Sequence, residues 1–524
     1  MASVVSSKVT LAVPLPPNSP PHPPACDTLS YLRWRSADGP PSSADADRVL
    51  VAQPGVFEGA GAFDSIARNT VSRAAELGKH IEFWALDRRS NCLEDHTGIH
   101  TALRTGSFDA ATDYYFRGAE VAGHRFAGFA EGDATAWLRD QGLAQTLRDE
   151  YDVLRIEFPD QVVRKQKVMC GGHSLGGFIT GYFAGWDFDG DPETTDDAGY
   201  NQCSGYFALD TTIQAGLSLR GLQVPELPAP VGGLVEGVSL QLETALPVLR
   251  LPAVINPETT NLLALAGLAA RLSPDGVNDL VRRLPDNPNI RATLRTLLSQ
   301  DAAMFATGRP DVRQLNATNE AVLGAILDDN SQPLGFLQAS LGFPGGGPVG
   351  PKSFPVPDEL ARSPLAMGMF GDASKASPTI YDPSTVYRWV DYDDTAGLTA
   401  PDTRPYTGPG SEVTAIAELA RSLSEPPLDF TEWYFPTRLA LDVQQTSAPS
   451  FAHHHIHSDG VDRNPILTFR TSGGIPVADS GSPQDEVVQL PGYNHLDVLT
   501  AAARQNDGRP EVVSTRLADF ATGH

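Results

Sequence analysis

The chain has 524 residues, of which 41% are hydrophobic and 20% charged, and its formal net charge is -25 at pH 7. This composition is typical of a folded globular protein, and the length predicts a large core with an insertion or second domain. The acidic balance repels phosphate backbones and anionic membranes, which excludes nucleic acid as an expected partner. The longest apolar run, Leu262 to Leu272, contains Arg271 and is too short to span a bilayer.

The N-terminal segment is rich in proline. Seven prolines between residues 14 and 25 predict an extended arm, residues 1 to 27, outside the folded core. The apolar run from Val9 to Leu15 is interrupted by proline and shows no cleavage site, so no signal peptide is predicted. We therefore expect a cytoplasmic protein, although secretion stays open if a leader has been removed.

Four cysteines occur in the chain, and they are too few and too scattered for a disulfide scaffold: Cys26, Cys92, Cys170 and Cys203. We expect buried thiols. The alternative is a single bridge between Cys26 and Cys92.

Short β-type runs alternate with helical patterns in the first part of the chain. This order predicts an α/β fold with a mainly parallel sheet and crossover helices. The predicted strands are Leu29 to Trp34, Val49 to Ala52, Ile81 to Leu86, Val168 to Cys170, Tyr206 to Leu209, Ile466 to Phe469 and Val487 to Leu490. The main helices predicted within this core are Phe63 to Leu77, Thr135 to Tyr151 and Phe178 to Ala184.

The strand series is interrupted after the strand that ends at Asp210. We predict a core of residues 28–216 and 446–524, split by a mostly helical cap of residues 217–445. Helix-like segments in the cap include Val238 to Leu246, Leu262 to Leu272, Val277 to Leu284 and Val413 to Leu423. An aromatic stripe at helical spacing, Phe430, Trp433, Tyr434 and Phe435, is predicted to belong to the core.

The strongest local signal is Gly172-His173-Ser174-Leu175-Gly176-Gly177, which lies between a predicted strand and a predicted helix. This context is typical of a nucleophile elbow, in which flanking glycines avoid side-chain clashes and the serine is exposed at a helix N-terminus. On these residues the chain resembles the α/β-hydrolase superfamily, particularly its lipase and esterase branches. The resemblance covers residues 28–216 and 446–524, about half of the chain. It implies that Ser174 is the nucleophile.

In this superfamily the catalytic triad runs in the order serine, acid, histidine, and the histidine follows the last strand. His495 follows the predicted strand Val487 to Leu490, so it is the predicted base. The usual acid would follow the strand Ile466 to Phe469, but residues 470–476 contain no carboxylate. Some members carry the acid after the strand that follows the nucleophile helix. Asp210 occupies that place and is the predicted acid, with Asp479 as the alternative.

The resemblance also implies an oxyanion hole made of two backbone N–H groups. Leu175, directly after the nucleophile, supplies the first. The second comes from the loop after the third strand of the family, here Gln53-Pro54-Gly55-Val56, which indicates Val56. Relatives carry His-Gly in this loop, so the departure at Gln53-Pro54 leaves room for a shift by one residue.

Two further groups could bind metal ions. Asp187 to Asp191 resembles the start of a calcium loop, but Pro192 and Ala198 occupy positions that require glycine and glutamate, so we expect a solvated acidic loop. The histidines between His453 and His457 are nearly consecutive and point in different directions. No metal site and no cofactor are predicted.

The expected function is hydrolysis of a small-molecule carboxylic ester with sizeable apolar groups, with the cap lying over Ser174. An amidase, a thioesterase or an acyltransferase would use the same residues, and a non-catalytic binding protein could keep the same scaffold. Epoxide hydrolase and dehalogenase chemistry is disfavoured because those relatives carry aspartate in place of the serine. The sequence predicts no oligomeric state.

Overall fold

The computed structural model describes residues 2–216, 246–250, 255–277, 279–354, 375–394, 405–425, 427–444 and 451–523. The predicted cap boundaries at 217 and 445, and most of the predicted helix Val238 to Leu246, lie outside these ranges.

A sheet of eight strands forms the centre of the molecule. The strands are β1 (Val4–Ala12), β2 (Thr28–Ser36), β3 (Arg48–Gln53), β4 (Ile81–Leu86), β5 (Val168–His173), β6 (Gly205–Leu209), β7 (Ile466–Gly473) and β8 (Asp485–Asn494). They lie in the order β1-β2-β4-β3-β5-β6-β7-β8. β2 is antiparallel to β1 and to β4, and the other neighbours are parallel. The prediction of a mainly parallel sheet is confirmed.

The N-terminal segment differs from its prediction. β1 pairs with β2 along its whole length, from Val4 opposite Ser36 to Ala12 opposite Thr28. The first part of the predicted arm, residues 1–27, is therefore an edge strand of the sheet. An edge strand has only one partner, so its residues are mostly exposed and lack the apolar pattern that indicated the other strands.

Helices flank the sheet on both faces. Those before β6 are α1 (Asp64–Glu76), α2 (Thr97–Thr105), α3 (Phe108–Arg117), α4 (Leu143–Glu157), α5 (Gln161–Lys167) and α6 (Leu175–Gly185). The predicted helix Thr135 to Tyr151 is instead a 3₁₀ turn, Ala136–Asp140, followed by α4. The two are separated because the residue before α4, Gly142, is extended.

The sheet alternates its side chains between two cores. In β3, Leu50 and Ala52 belong to the cluster that contains Ile66 of α1, whereas Val49 and Val51 belong to the cluster that contains Ile179 of α6. This alternation follows from the two-residue period of a strand. The result is a three-layer α/β/α core.

Between β6 and β7 the described elements are mainly helical. They are α7 (Pro257–Leu272), α8 (Asp279–Arg283), α9 (Pro288–Leu298), α10 (Ala302–Thr307), α11 (Asn319–Leu327), α12 (Ile416–Ser424) and α13 (Thr437–Asp442). Two short antiparallel strand pairs accompany them, Phe343–Gly345 with Arg388–Val390 and Val349–Lys352 with Lys375–Pro378. The chain ends with α14 (Asp497–Thr500) and α15 (Val512–Gly523). None of the helices in the described ranges has the length and hydropathy to cross a membrane.

The predicted aromatic stripe is buried but not helical. Phe430, Trp433, Tyr434 and Phe435 lie in an extended and turned segment between α12 and α13. Residues 429–432 of this segment pair with the loop after β3.

All four cysteines are paired, Cys26 with Cys92 and Cys170 with Cys203. The expectation of buried thiols is therefore wrong, and the alternative bridge is one of two. Cys170 lies in β5 and Cys203 just before the neighbouring strand β6, so the sheet itself brings these two residues together.

Candidate active site

Ser174 occupies the turn between β5 and α6 and has the unusual backbone angles φ 53° and ψ -118°. A non-glycine residue in this region is strained, and the surrounding structure must hold it there. The backbone N–H of Ser174 donates to the carbonyl of Leu209 at 3.3 Å, and Thr211 Oγ1 donates to the carbonyl of Ser174 at 2.5 Å. Both partners flank Asp210. The turn at Ser174 is thus fixed directly to the end of β6.

The glycines around Ser174 are required by close backbone packing. A Cβ on Gly176 would lie 2.0 Å from the carbonyl oxygen of Gln53, and one on Gly172 would lie 2.6 Å from the same atom. A Cβ on Gly55 would lie 2.9 Å from Cβ of Ser174. The turn at Ser174 and the loop after β3 are therefore in direct contact.

His495 and Asp210 meet beside this turn, although 285 residues separate them. Nδ1 of His495 lies 2.6 Å from Oδ2 of Asp210, and both side chains are 2% exposed. Asp210 Oδ1 accepts hydrogen bonds from the Thr471 backbone N–H at 3.0 Å and from Thr471 Oγ1 at 2.9 Å. Its Oδ2 also accepts from the Ile475 N–H at 3.3 Å. Asp210 has φ 44°, so its backbone is held in the left-handed region as well.

The chain has the α/β-hydrolase fold. The strand order, the strained serine between a central strand and a helix, and the histidine after the last strand decide this assignment.

No family model and no curated protein sequence matches the chain. Solved structures with similarity include a lipase in its open form, at 10% identity over 99% of this chain and 100% of that chain, with a TM-score of 0.35. The peroxisomal α/β-hydrolase Lpx1 from Saccharomyces cerevisiae has 12% identity over 100% and 90%, with a TM-score of 0.35. Epoxide hydrolase I from potato, Solanum tuberosum, has 11% identity over 99% and 100%, with a TM-score of 0.34.

The alternative acid lies elsewhere in this α/β-hydrolase fold. Asp479 Oδ1 lies 3.0 Å from the Arg470 guanidinium, and the Asp479 side chain is 64% exposed. Asp210, by contrast, is buried against His495. The geometry therefore brings the histidine to Asp210.

The predicted oxyanion residues line the cavity that contains Ser174. The Gly55 N–H is occupied, because it donates to Glu58 Oε2 at 2.7 Å. The turn continues through Val56 to Phe57, which has φ 59°. Phe57 lines the same cavity, as does Leu175, the first residue of α6.

A second carboxylate–histidine pair, which was not predicted from the sequence, lies next to His495. His173 Nε2 lies 3.0 Å from the backbone carbonyl of His495 and therefore donates to it, since a carbonyl only accepts. His173 Nδ1 lies 2.6 Å from Oε1 of Glu58. The pair joins three parts of the site: the turn at Ser174, the loop after β3 and the end of β8, next to His495. His173 is part of the elbow motif, but its partner Glu58 is 115 residues away and carries no local signal.

The charges of these groups depend on their burial and on each other. Burial alone would lower the pKa of His173, but the charge and hydrogen bond of Glu58 outweigh it and raise that pKa. Burial lowers the pKa of His495, and the charge of His173 lowers it further. Burial would raise the pKa of Asp210, but the hydrogen bonds from His495 and Thr471 hold it below its usual value. The site therefore favours a neutral His495 beside an ionised Asp210.

A cavity of about 540 Å³ opens at Ser174 and His495. Its wall is mainly apolar and comes largely from the segment between β6 and β7. The aliphatic wall residues from that segment are Leu249, Ile255, Leu262, Leu263, Leu280, Leu284, Leu294, Leu297, Ile326, Leu327, Leu337, Leu423, Ala440 and Val443. Phe430 also lines it, so one member of the predicted aromatic stripe contacts the cavity as well as the core.

The acidic loop after α6 is more ordered than a purely solvated loop. Asp187 is buried, and its carboxylate accepts from the Gly190 N–H at 2.7 Å and lies 2.8 Å from His457 Nε2. Carboxylate oxygens of Asp187, Asp189 and Asp197 lie within 4.8 Å of one another. The ring of His454 stacks on Trp186. The predicted histidine cluster thus packs against this loop and fixes it to the end of α6.

Proposed function

We propose that the protein is a serine hydrolase that cleaves carboxylic esters with sizeable apolar groups. The observation that carries the proposal is the 2.6 Å contact between His495 Nδ1 and buried Asp210, at a cavity that also contains the strained Ser174. A serine hydroxyl is a weak nucleophile until an imidazole takes its proton, and the imidazole needs a partner that fixes its tautomer.

In the proposed mechanism, Ser174 Oγ attacks the ester carbonyl while His495 Nε2 takes the hydroxyl proton. Asp210 holds the other proton on Nδ1 and stabilises the imidazolium that forms. The tetrahedral oxyanion accepts hydrogen bonds from the backbone N–H groups of Leu175 and Val56. His495 then donates its proton to the leaving alcohol, and a water molecule, activated by the same histidine, hydrolyses the acyl-enzyme.

The cavity supports the choice of substrate class. Its volume of about 540 Å³ lies within the range of about 300–1,000 Å³ that is usual for small-molecule sites. Because its wall is dominated by aliphatic side chains, burial of an apolar acyl or alcohol group is the main source of binding free energy that it offers. The leucine-rich wall comes from the insertion, which therefore acts as a specificity element.

The two disulfides indicate the kind of compartment in which the protein resides. Disulfides persist in oxidising compartments and are rare in the cytosol. We therefore favour a secreted or otherwise oxidising location over the cytoplasmic one expected from the sequence.

A panel of matched substrates tests the proposed function. Chromogenic esters of increasing acyl length, a thioester and an anilide are assayed with the wild-type protein and with Ser174→Ala. We expect ester hydrolysis with a higher kcat/KM for medium or long acyl chains than for acetate, and none with the variant. Preference for the thioester or the anilide would reassign the reaction while retaining the triad. Hydrolysis by Ser174→Ala at the wild-type rate would overturn the proposal.

A further inference from the structure

A second group of buried ionisable side chains lies outside the cavity of Ser174. The loop after β4 supplies Glu94 and His96, and the segment between α12 and α13 supplies Asp429. Nε2 of His96 lies 3.0 Å from Oε2 of Glu94 and 3.4 Å from Oδ2 of Asp429. The three side chains are 9%, 1% and 6% exposed, in the order His96, Glu94, Asp429. Their ligand atoms all lie within 4.8 Å of one another.

These separations suit one small divalent ion. Zinc binds imidazole nitrogen and carboxylate oxygen at about 2.0–2.2 Å, so two ligands of a tetrahedral site lie about 3.4 Å apart. The measured distances of 3.0 Å and 3.4 Å are close to this value. Both distances start at His96 Nε2, and the carboxylate oxygens of Glu94 and Asp429 lie within 4.8 Å of each other, so side-chain shifts can bring all three ligand atoms to one ion.

The charges around His96 are unbalanced. Within the described part of the chain, Glu94 and Asp429 form ion pairs only with His96, whereas the neighbouring Glu432 is paired with Arg88 at 2.6 Å. Uncompensated carboxylates are costly to bury. A bound dication removes this cost.

Asp87 provides an independent indication of a missing ligand. It is 8% exposed and interacts electrostatically with Glu94, Glu432 and His96. Its Oδ1 accepts from the Ala60 N–H at 3.3 Å, but its buried Oδ2 has no hydrogen-bond partner among the described residues. An ion or a water molecule bound beside Asp87 would supply the partner that this oxygen lacks.

The carboxylates are also oriented by the protein around them. The Trp433 backbone N–H donates to Glu94 Oε1 at 2.7 Å, and Trp433 Nε1 donates to Asp429 Oδ2 at 2.7 Å. Asn91 Nδ2 donates to Glu94 Oε2 at 3.1 Å. Such outer hydrogen bonds fix the orientation of metal ligands, and each oxygen keeps a lone pair for a metal.

We propose that Glu94, His96 and Asp429 bind one divalent transition-metal ion, with zinc as the preferred metal. A water molecule as fourth ligand would complete the tetrahedral coordination. The imidazole nitrogen favours zinc over calcium and magnesium, which take oxygen ligands.

The site connects the segment between β6 and β7 to the loop after β3. Residues next to Asp429 pair with the loop after β3: Gly59 N–H donates to the Phe430 carbonyl at 2.9 Å and Glu432 N–H donates to the Phe57 carbonyl at 2.8 Å. Phe430 and Phe57 both line the cavity. An ion on Asp429 therefore holds the cavity wall against the loop of the proposed oxyanion hole. Its role is structural, because Glu94, His96 and Asp429 are not among the cavity-lining residues.

The test uses the full-length protein stripped with a chelator and then incubated with zinc. After gel filtration we expect about one zinc ion per chain and a thermal midpoint several degrees above that of the stripped protein, since an ion that binds the folded state stabilises it. Replacement by cobalt should give the visible absorption of a tetrahedral site. Absence of zinc uptake by the wild-type protein would overturn the proposal.

Matched variants locate the site. His96→Gln and Asp429→Asn should abolish zinc uptake and the zinc-dependent rise in thermal midpoint. His100→Gln removes the neighbouring imidazole, whose ring centroid is 5.9 Å from that of His96, and should retain both. Undiminished zinc binding by His96→Gln would overturn the assignment. If His96→Gln does not fold, loss of uptake in Asp429→Asn with retention in His100→Gln supports it.

Discussion

Replacing Asp210 by asparagine tests directly whether the contact between Asp210 and His495 supports catalysis. Two donors, the N–H and Oγ1 of Thr471, point at Oδ1 of Asp210. An asparagine at this position must therefore place its amide oxygen towards Thr471 and its NH₂ group towards His495. The NH₂ group then donates to Nδ1, so the neutral imidazole carries its proton on Nε2, which faces the serine. His495 can no longer accept the proton of Ser174.

The expected loss in kcat is about 10⁴-fold, the effect of the same change in a serine protease triad. At 1.36 kcal/mol per factor of ten, this corresponds to about 5.5 kcal/mol of transition-state stabilisation. Folding should survive, because the asparagine retains the acceptor at Oδ1 and gives up only the weak 3.3 Å bond from Ile475. The assay is hydrolysis of a chromogenic ester under saturating conditions, with circular dichroism as a check on folding.

Asp479→Asn is the matched control. Its carboxylate is 64% exposed and pairs with Arg470, so kcat should stay within about twofold of wild type. If a folded Asp210→Asn enzyme had near wild-type kcat while Asp479→Asn strongly lowered kcat, the assignment of Asp210 as the acid would be refuted.

Three further predictions concern the pKa of His495, the cavity wall and the cysteine pairing. His173→Gln keeps a donor for the His495 backbone carbonyl but removes the positive charge beside the His495 ring. The pKa of His495 should therefore rise, and the acid limb of the pH profile of kcat/KM should move to higher pH. An unmoved limb would show that His173 is neutral. Leu263→Trp places a larger side chain in the cavity and should lower kcat/KM for long acyl esters relative to acetate. Leu272→Trp lies on the same helix but away from the cavity, so it should keep the wild-type order of kcat/KM values among the esters. If both variants gave the same order of kcat/KM values among the esters, the segment between β6 and β7 would have no role in substrate selection. Thiol titration of the denatured, unreduced protein should find no free thiol, and reduction should release 4 thiols. Free thiols before reduction would contradict the cysteine pairing and favour a cytoplasmic location.

The core could be predicted because its signals are local. The β-type runs around Ile81 to Leu86 and Tyr206 to Leu209 are short, apolar and bounded by turns, and the structure places strands over both. The elbow is a contiguous motif, so its strand, serine and helix were also predicted. Asp210 was predicted from the family resemblance, since some members carry the acid after this strand, and the structure places its carboxylate against His495.

The remaining features depend on contacts that are distant in sequence. β1 is mostly exposed, so its pairing with β2 leaves little hydrophobic pattern. The Cys170–Cys203 bridge depends on β5 and β6 being neighbours in the sheet. Glu58 and Asp429 gain their importance only from tertiary neighbours, His173 and His96. None of these contacts has a local pattern from which the sequence could indicate it.

Covalent labelling tests the central claim, that Ser174 is an activated nucleophile, most directly. The wild-type protein and Ser174→Ala are incubated with a fluorophosphonate probe, and the labelled residue is identified by peptide mass spectrometry. The account predicts one label on Ser174, loss of ester hydrolysis in proportion to labelling, and no label on the folded variant. Equal labelling of Ser174→Ala, or a folded and unlabelled wild-type protein, would contradict it.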